Sequence, residues 1–405
     1  MSEFPIGLLF EEALALLAGF AANRRLPIER IATARTHGRV LATDIDAPIA
    51  LPPFDNSAMD GFAFRHADLG VESPTTFRLA SEQFAGRDRG LRVGQGECIR
   101  ITTGAPMPAG TDTVAILENV VVDGDRVRIA ADTPAGANVR RAGEDVRTGT
   151  RVLERGHALT PARVAIAASL GIDQLEVSAR PTVAVFTTGD ELVEPGVPLR
   201  PGEIYNSNRE LLLGLLRAEG LEPTAWPTLP DDPARVRSSL LDAASSFDLV
   251  LTCGAVSAGA RDHIPALLQE HGRVHFWKVR MKPGMPVLFG ELERALFLGL
   301  PGNPVSVLAT WLTLGRALTD GVQGRTESRR SMRARLTAPI DKRHARREFM
   351  RGRLHVDDDG ILRVAPDPAT GSHRLLAAAR SDALIVVGEG AMQLPADSVV
   401  DVLPY

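Results

Sequence analysis

From Arg180 to about Gly324 the chain alternates short apolar runs with amphipathic ones, and this alternation constrains its fold more than any other feature. PTVAVFTTGDEL reads as a buried strand ending in a polar turn. NSNRELLLGLLRAEGL reads as a helix with leucines at helical spacing, and FDLVLTCG as a second buried strand. Helix DHIPALLQEHG, extended segments around VHFWKV and VLFGEL, strand ALFLGL and helix VSVLATWLTLGRAL follow. Strands alternating with helices imply a mostly parallel sheet whose ligands lie at the carboxyl ends of its strands.

The flanking segments obey other rules. The chain opens on an apolar stretch that reads as an amphipathic helix. Residues 47–146 carry short β-type runs (CIRITT, TVAILENVVV, RVRIA) between Gly, Pro and Asp. RVLERG and LTPARVAIAASLGI read as a strand and a helix with Pro161 in its first turn. Past Gly324 the pattern is β again, with DDDG as a hairpin turn. The expected fold is a multidomain α/β plus β chain. It has a discontinuous N-terminal helical/β domain at 1–46 and 147–180, in which the N-terminal helix packs with the second piece. An inserted β-rich domain spans 47–146, an α/β domain 181–325 and a C-terminal β domain 326–405.

A net charge of −4 argues against a chain that coats nucleic acid, because attraction to a polyanion needs a basic excess. An anionic ligand must then be held locally. Cys98 and Cys253 lie far apart without a metal-ligand spacing, which fits a reducing compartment. Glu3, Glu11 and Glu12 replace the basic start of a signal peptide. Pro301, Gly302, Asn303 and Pro304 break the most apolar late stretch, so no membrane span is expected and the location is read as cytoplasmic.

Polar residues collect where the strand-end rule places ligands. TTGDEL offers Asp190 and Glu191, TLPDD offers Asp231 and Asp232, and CGAVSAGARD offers Ser257 and Asp262. Such carboxylates suit a hard divalent cation that in turn binds phosphate. Asp231 and Asp232, just before Pro233, equally suit a helix cap. GAVSAGA matches neither the dinucleotide fingerprint nor the P-loop pattern. Lys278, Lys282 and Lys342 are the only lysines of the chain, and the first two flank a strand end in WKVRMKPGMP. An ammonium is a compact point charge suited to a tetrahedral oxyanion or phosphate. PPFDNSAMDGFAF and NVRRAGEDVR add dense clusters of turn formers and charges outside the α/β segment.

These motifs, with IRITTGAPMPAGTD, RRAGEDV and GLPGNPVS in order along nearly the whole chain, resemble the molybdopterin molybdenumtransferase family, MoeA-type proteins related to the E domain of gephyrin. The resemblance implies an elongated homodimer with an α/β domain like that of molybdopterin adenylyltransferase and a C-terminal β-barrel-like domain. It implies that adenylated molybdopterin and molybdate are the substrates, that Mg2+ is required, and that molybdenum cofactor and AMP are released. Transfer of substrate from a molybdopterin adenylyltransferase is part of the same expectation.

Carried over by position, Glu191 and Asp262 are metal ligands, and Asp231 is an acidic loop residue. Asp60, Thr103 and Asp145 complete the cleft of the other subunit. Ser257, Lys278, Lys282, Arg351 and Ser372 contact substrate. Ala255, His263 and Met285 depart from the family's pattern at the pocket border, and a methyl at Ala255 restricts access to positive φ. Two other readings are a molybdopterin adenylyltransferase using a nucleoside triphosphate, and a non-catalytic molybdopterin-binding delivery scaffold.

Overall fold

The computed structural model describes residues 4–257, 263–329 and 331–405. Its largest sheet has seven strands in the order Ile6–Leu8, Gly272–Val279, Leu288–Leu292, Ala295–Leu300, Leu249–Cys253, Val183–Thr187 and Pro223–Ala225. Val183–Thr187 pairs in parallel with both neighbours, and Leu249–Cys253 with Ala295–Leu300. Leu288–Leu292 runs antiparallel to its neighbours.

Side chains of the central strands alternate between the two faces of this sheet. Val183, Val185, Leu249 and Leu251 pack with Leu212 and Leu216 of helix Ser207–Ala218 on one face. Ala184, Phe186 and Val250 pack with Val236 and Leu240 of helix Pro233–Ser246 on the other. A strand covered on both faces must be apolar at every position, which is why these segments read as continuous runs.

The N-terminus packs elsewhere than expected from sequence. Ile6–Leu8 adds a parallel edge strand beside Gly272–Val279. Phe10, Ala13, Leu17 and Ala21 of helix Phe10–Asn23 enter the α/β core with Phe289, Leu318 and Val322. Ala21 meets Gly321 so closely that a Cβ on the glycine would sit 2.4 Å from the alanine methyl. Two small residues thus let this helix lie against Arg316–Gln323. The 147–180 piece instead pairs with residues after that helix: Ile28–Ala32 with Gln174–Ser178, and Ile45–Asp46 with Arg151–Leu153. Helix Pro161–Ser169 starts as its proline predicts, with the Thr160 hydroxyl accepting from the Arg163 N–H.

Residues between these pieces build a six-stranded sheet around Phe62, Phe64, Phe77 and Cys98. The C-terminal segment builds another six-stranded sheet that closes on itself, because Arg347–Val356 pairs with both Leu362–Pro366 and Ala383–Val387. Its sixth strand is Met281–Lys282, donated by the α/β segment and parallel to Arg347–Val356. No helix among the described residues is long and apolar enough to cross a membrane.

Glu327 ties the N-terminal piece to the start of the C-terminal one. Its carboxylate accepts from both terminal nitrogens of Arg163 at 2.9 Å and from the Ala158 N–H at 3.3 Å. The Arg163 hydrogen bonds, aided by that N–H, hold Glu327 at about 2, below its ordinary 4.5. A depressed carboxylate stabilises the fold above its unfolded value and loses that contribution as pH falls through the folded one. Glu327→Gln is therefore expected to unfold at lower urea than wild type at pH 7, and the gap should close between pH 4.5 and about 2. A gap that stays constant across that range would show that the ion pair contributes nothing.

Candidate functional site

A cleft of about 590 Å³ opens at the carboxyl ends of Val183–Thr187, Leu249–Cys253 and Ala295–Leu300. This is the crevice where doubly wound sheets bind ligands. Its walls come from the loops that follow those strands, and backbone bonds tie the loops together. The Thr188 N–H donates to the Cys253 carbonyl at 3.1 Å, and the Gly254 N–H to the Leu300 carbonyl at 2.9 Å. Asn208 binds the Gly302 carbonyl through Nδ2 at 2.6 Å, anchoring the LPGNP turn to helix Ser207–Ala218. Gly189, at φ +135°, lies where any Cβ would come within 2.3 Å of the Glu191 carboxylate. Glycine is required there for Glu191 to fold back over the turn.

Glu191, Asp231 and Ser257 all line this cleft. The two aspartates before Pro233 have divided their roles. Asp232 is the cap of helix Pro233–Ser246, accepting from the Ala234 and Arg235 N–H groups at 2.9 and 3.2 Å. Asp231 faces the cleft, with its N–H donating to Asp190 at 3.1 Å. Asp262 lies outside the described residues. Cys253 also lines the cleft, but burial pushes its thiol up to about 12, which leaves it protonated and a poor nucleophile. No cluster of three or more His, Cys, Asp or Glu suited to a metal occurs among the described residues. A magnesium ion held by one or two carboxylates and substrate phosphates does not need one.

His373 and Leu375 of the C-terminal segment complete the cleft. Sequence reasoning passed over His373, which is remote from every strand end. Among the described lining residues it is the one able to carry positive charge. Ser372 precedes it, and its carbonyl accepts the Val305 N–H at 3.1 Å.

The lysine pair is split. Lys278 has φ +65° and places its ammonium over the Trp277 ring, 4.7 Å from the centroid. Lys282 lines a smaller pocket with Pro283, Glu348, Arg351, Asp367 and Thr370. Arg351 is 5% exposed, donates to the Gly371 carbonyl at 3.2 Å and has no partner for Nε. Burial pulls its pKa below the usual guanidinium value, opposed by Asp367. A buried cation with an unused donor is a natural partner for an oxyanion. The segment 367–375 contributes to both pockets, with Asp367, Ala369 and Thr370 in the smaller one and His373 and Leu375 in the cleft.

The inserted domain organises its own motif. Asp60 accepts from the Thr103 N–H at 2.7 Å and its hydroxyl at 2.8 Å, and these bonds hold the carboxyl below its ordinary range. Asp55 instead braces the next loop, accepting from the Ala142 N–H at 2.8 Å and Arg141 at 2.7 Å. Asn56 and Ser57 are buried, and Ser57 donates to the Met59 carbonyl at 2.6 Å. Much of FDNSAMDG is therefore structural. Asp145 is exposed and docks its N–H on the Leu51 carbonyl at 3.1 Å. Asp60, Thr103 and Asp145 line neither pocket of their own chain.

Ala255, on the cleft wall, has φ +54°. The left-handed region costs a side-chain-bearing residue about 1–2 kcal/mol, part of which glycine returns as chain entropy. Ala255→Gly is expected to raise unfolding free energy by about 1 kcal/mol. An unchanged or lower urea midpoint would show that the loop carries no strain at this position.

Three family models cover the chain in order. These are the MoeA N-terminal region (domain I and II) at residues 8–171, the probable molybdopterin binding domain at 184–320, and the MoeA C-terminal region (domain IV) at 333–405. A molybdopterin molybdenumtransferase of Haemophilus influenzae is 39% identical over 370 residues, 91% of each chain. Molybdopterin molybdenumtransferase 2 of Mycobacterium tuberculosis is 36% identical over 91% of this chain and 93% of its own. The crystal structure of a molybdopterin biosynthesis MoeA protein from Pyrococcus horikoshii superposes with a TM-score of 0.83 at 28% identity, covering 98% of this chain and 100% of that one. On this agreement of sequence, domain order and fold, the chain belongs to the molybdopterin molybdenumtransferase (MoeA) family.

Proposed function

We propose that this protein is a molybdopterin molybdenumtransferase, which takes adenylated molybdopterin and molybdate and yields molybdenum cofactor and AMP. The observation that carries the reading is the pair of pockets to both of which residues 367–375 contribute. One is lined by carboxylates at strand ends and the other by Lys282 and Arg351. The first suits a phosphate–phosphate link and the second a tetrahedral oxyanion.

In the large cleft, Glu191 and Asp231 would hold magnesium. When bound, it would neutralise charge on the phosphate oxygens as the link is cut. The chain's own residues do the rest. The tied loops at Gly254 and Gly302 bring backbone groups close to the substrate, and His373, contributed to the cleft by the C-terminal segment, hydrogen-bonds a phosphate oxygen. In the small pocket, the Arg351 guanidinium and the Lys282 ammonium hold molybdate oxygens, and Ser372, on the segment that contributes to both pockets, is assigned to substrate with them. Lys278, over the Trp277 face, supplies a further cation near the strand end.

Asp60, Thr103 and Asp145 of one subunit complete the cleft of the other, which makes the working unit a homodimer. That they line neither pocket of their own chain supports this reading. The same reading places the protein in the cytoplasm, receiving substrate from a molybdopterin adenylyltransferase.

Purified protein given adenylated molybdopterin, magnesium and molybdate should release AMP only when molybdate is present. Substrate binding without AMP release would favour the delivery scaffold, and consumption of a nucleoside triphosphate would favour the adenylyltransferase. Asp60→Ala should abolish turnover while the protein stays folded, because the carboxyl is exposed and its removal costs the Thr103 hydrogen bonds but no core packing. Mixed dimers of Asp60→Ala with Glu191→Ala subunits should regain activity through one intact shared cleft. Mixed dimers as inert as the parents would refute the shared site.

A further inference from the structure

The small pocket contains a carboxylate that oxyanion binding does not call for. Glu348 is 7% exposed and lines the pocket beside Lys282 and Arg351. A negative charge there repels an incoming anion unless it does something else.

The geometry shows what else it does. Met281–Lys282 and Arg347–Val356 pair in parallel with Lys282 directly opposite Glu348, and Oε1 of Glu348 lies 2.8 Å from the Lys282 ammonium. The other oxygen, Oε2, lies 3.0 Å from Nε2 of His344. The segment carrying His344 is itself held, because the buried Lys342 ammonium donates to the carbonyls of His344, Gly388 and Gly390. Glu348 thus sits between Lys282 and His344 in a position set by the sheet register. Lys282, by contrast, is 34% exposed at its side chain and sits on a flexible four-carbon stem. An ammonium has three donors, and an ion pair with a single carboxylate oxygen leaves donors over for a ligand.

We infer that Glu348 is a positioning residue that presets the Lys282 ammonium for a tetrahedral oxyanion in this pocket. The inference rests on the oxyanion reading of the pocket given above. Lys282 and Arg351 face Glu348 and Asp367 there, so attraction comes from where the cations are placed, not from a surplus of positive charge. Pre-placing a cation removes the ordering that binding would otherwise require.

The test is direct binding of molybdate alone to the full-length protein, by equilibrium dialysis, in a double-mutant cycle with Glu348→Met and Lys282→Met. Glu348→Met keeps the length of the side chain and removes both charge and acceptor. Positioning predicts that it weakens molybdate binding by about tenfold in the wild-type background. In the Lys282→Met background it should change binding by less than about twofold, since the group it acts through is gone. Glu348→Gln, which keeps one acceptor, should fall between wild type and Glu348→Met, and it takes the place of Glu348→Met in the cycle should that variant fail to fold.

Tighter binding by Glu348→Met would mean that the carboxylate merely repels the anion, and overturns the inference. So would a lowered unfolding midpoint with binding unchanged, or an equal loss in both backgrounds. Wild-type protein that takes up no molybdate would overturn the oxyanion reading itself, and the inference with it.

Discussion

The central parallel strands are buried on both faces, and the rest of the molecule follows from that constraint. Val183–Thr187 and Leu249–Cys253 are buried at every residue. A charged side chain along them would lie in one core or the other, where an unpaired charge costs several kcal/mol. Polar chemistry is therefore displaced to the strand ends. There, bonds such as Thr188 to Cys253 and Gly254 to Leu300 draw separate loops into one wall. Glu191, Asp231 and Ser257 meet because their strands are parallel and end at the same level, although more than sixty residues separate the first from the last.

How far the sequence could be read tracks how local each cause is. The α/β rhythm was legible because burial on both faces leaves a continuous apolar run, and the Pro161 helix start because proline and Thr160 act within one turn. Phe10–Asn23 was legible as a helix but not in its placement. Its apolar stripe specifies that something covers it, whereas the small-residue contact of Ala21 with Gly321 lies three hundred residues away. Asp231 and Asp232 were indistinguishable in sequence because both precede Pro233. Only the capping bonds, which go to Asp232, separate them. His373 was invisible for the opposite reason: it reaches the cleft from a different domain, and no local pattern marks such a residue.

The lysines make the same point through chemistry. Each is found where a point charge fits better than a planar fork. Lys342 meets three converging backbone carbonyls, Lys278 lies over an indole face, and Lys282 meets one carboxylate oxygen at the rim of a pocket. The scarcity of lysine in the sequence drew attention to two of these positions. It could not tell that Lys342 is structural and buried at 3% exposure, because the three carbonyls that hold it come from two separate turns.

The closed barrel and the α/β domain are joined by more than the covalent chain. Met281–Lys282 leaves the α/β segment to become a strand of the barrel, and the Ser372 carbonyl returns to meet Val305 at the start of an α/β helix. Asp367, Ala369 and Thr370 line the small pocket and His373 and Leu375 the large cleft, so one short segment of the barrel contributes to both. The inserted domain has its own core around Phe62, Phe64 and Phe77, and its Asp60–Thr103 pair is complete without help from either pocket. One unit is thus built for fixed geometry between two binding sites, and the other presents a preformed carboxylate on an independent core. That division suits the homodimer proposed above, because neither core would need to rearrange for the carboxylate of one copy to reach the cleft of the other.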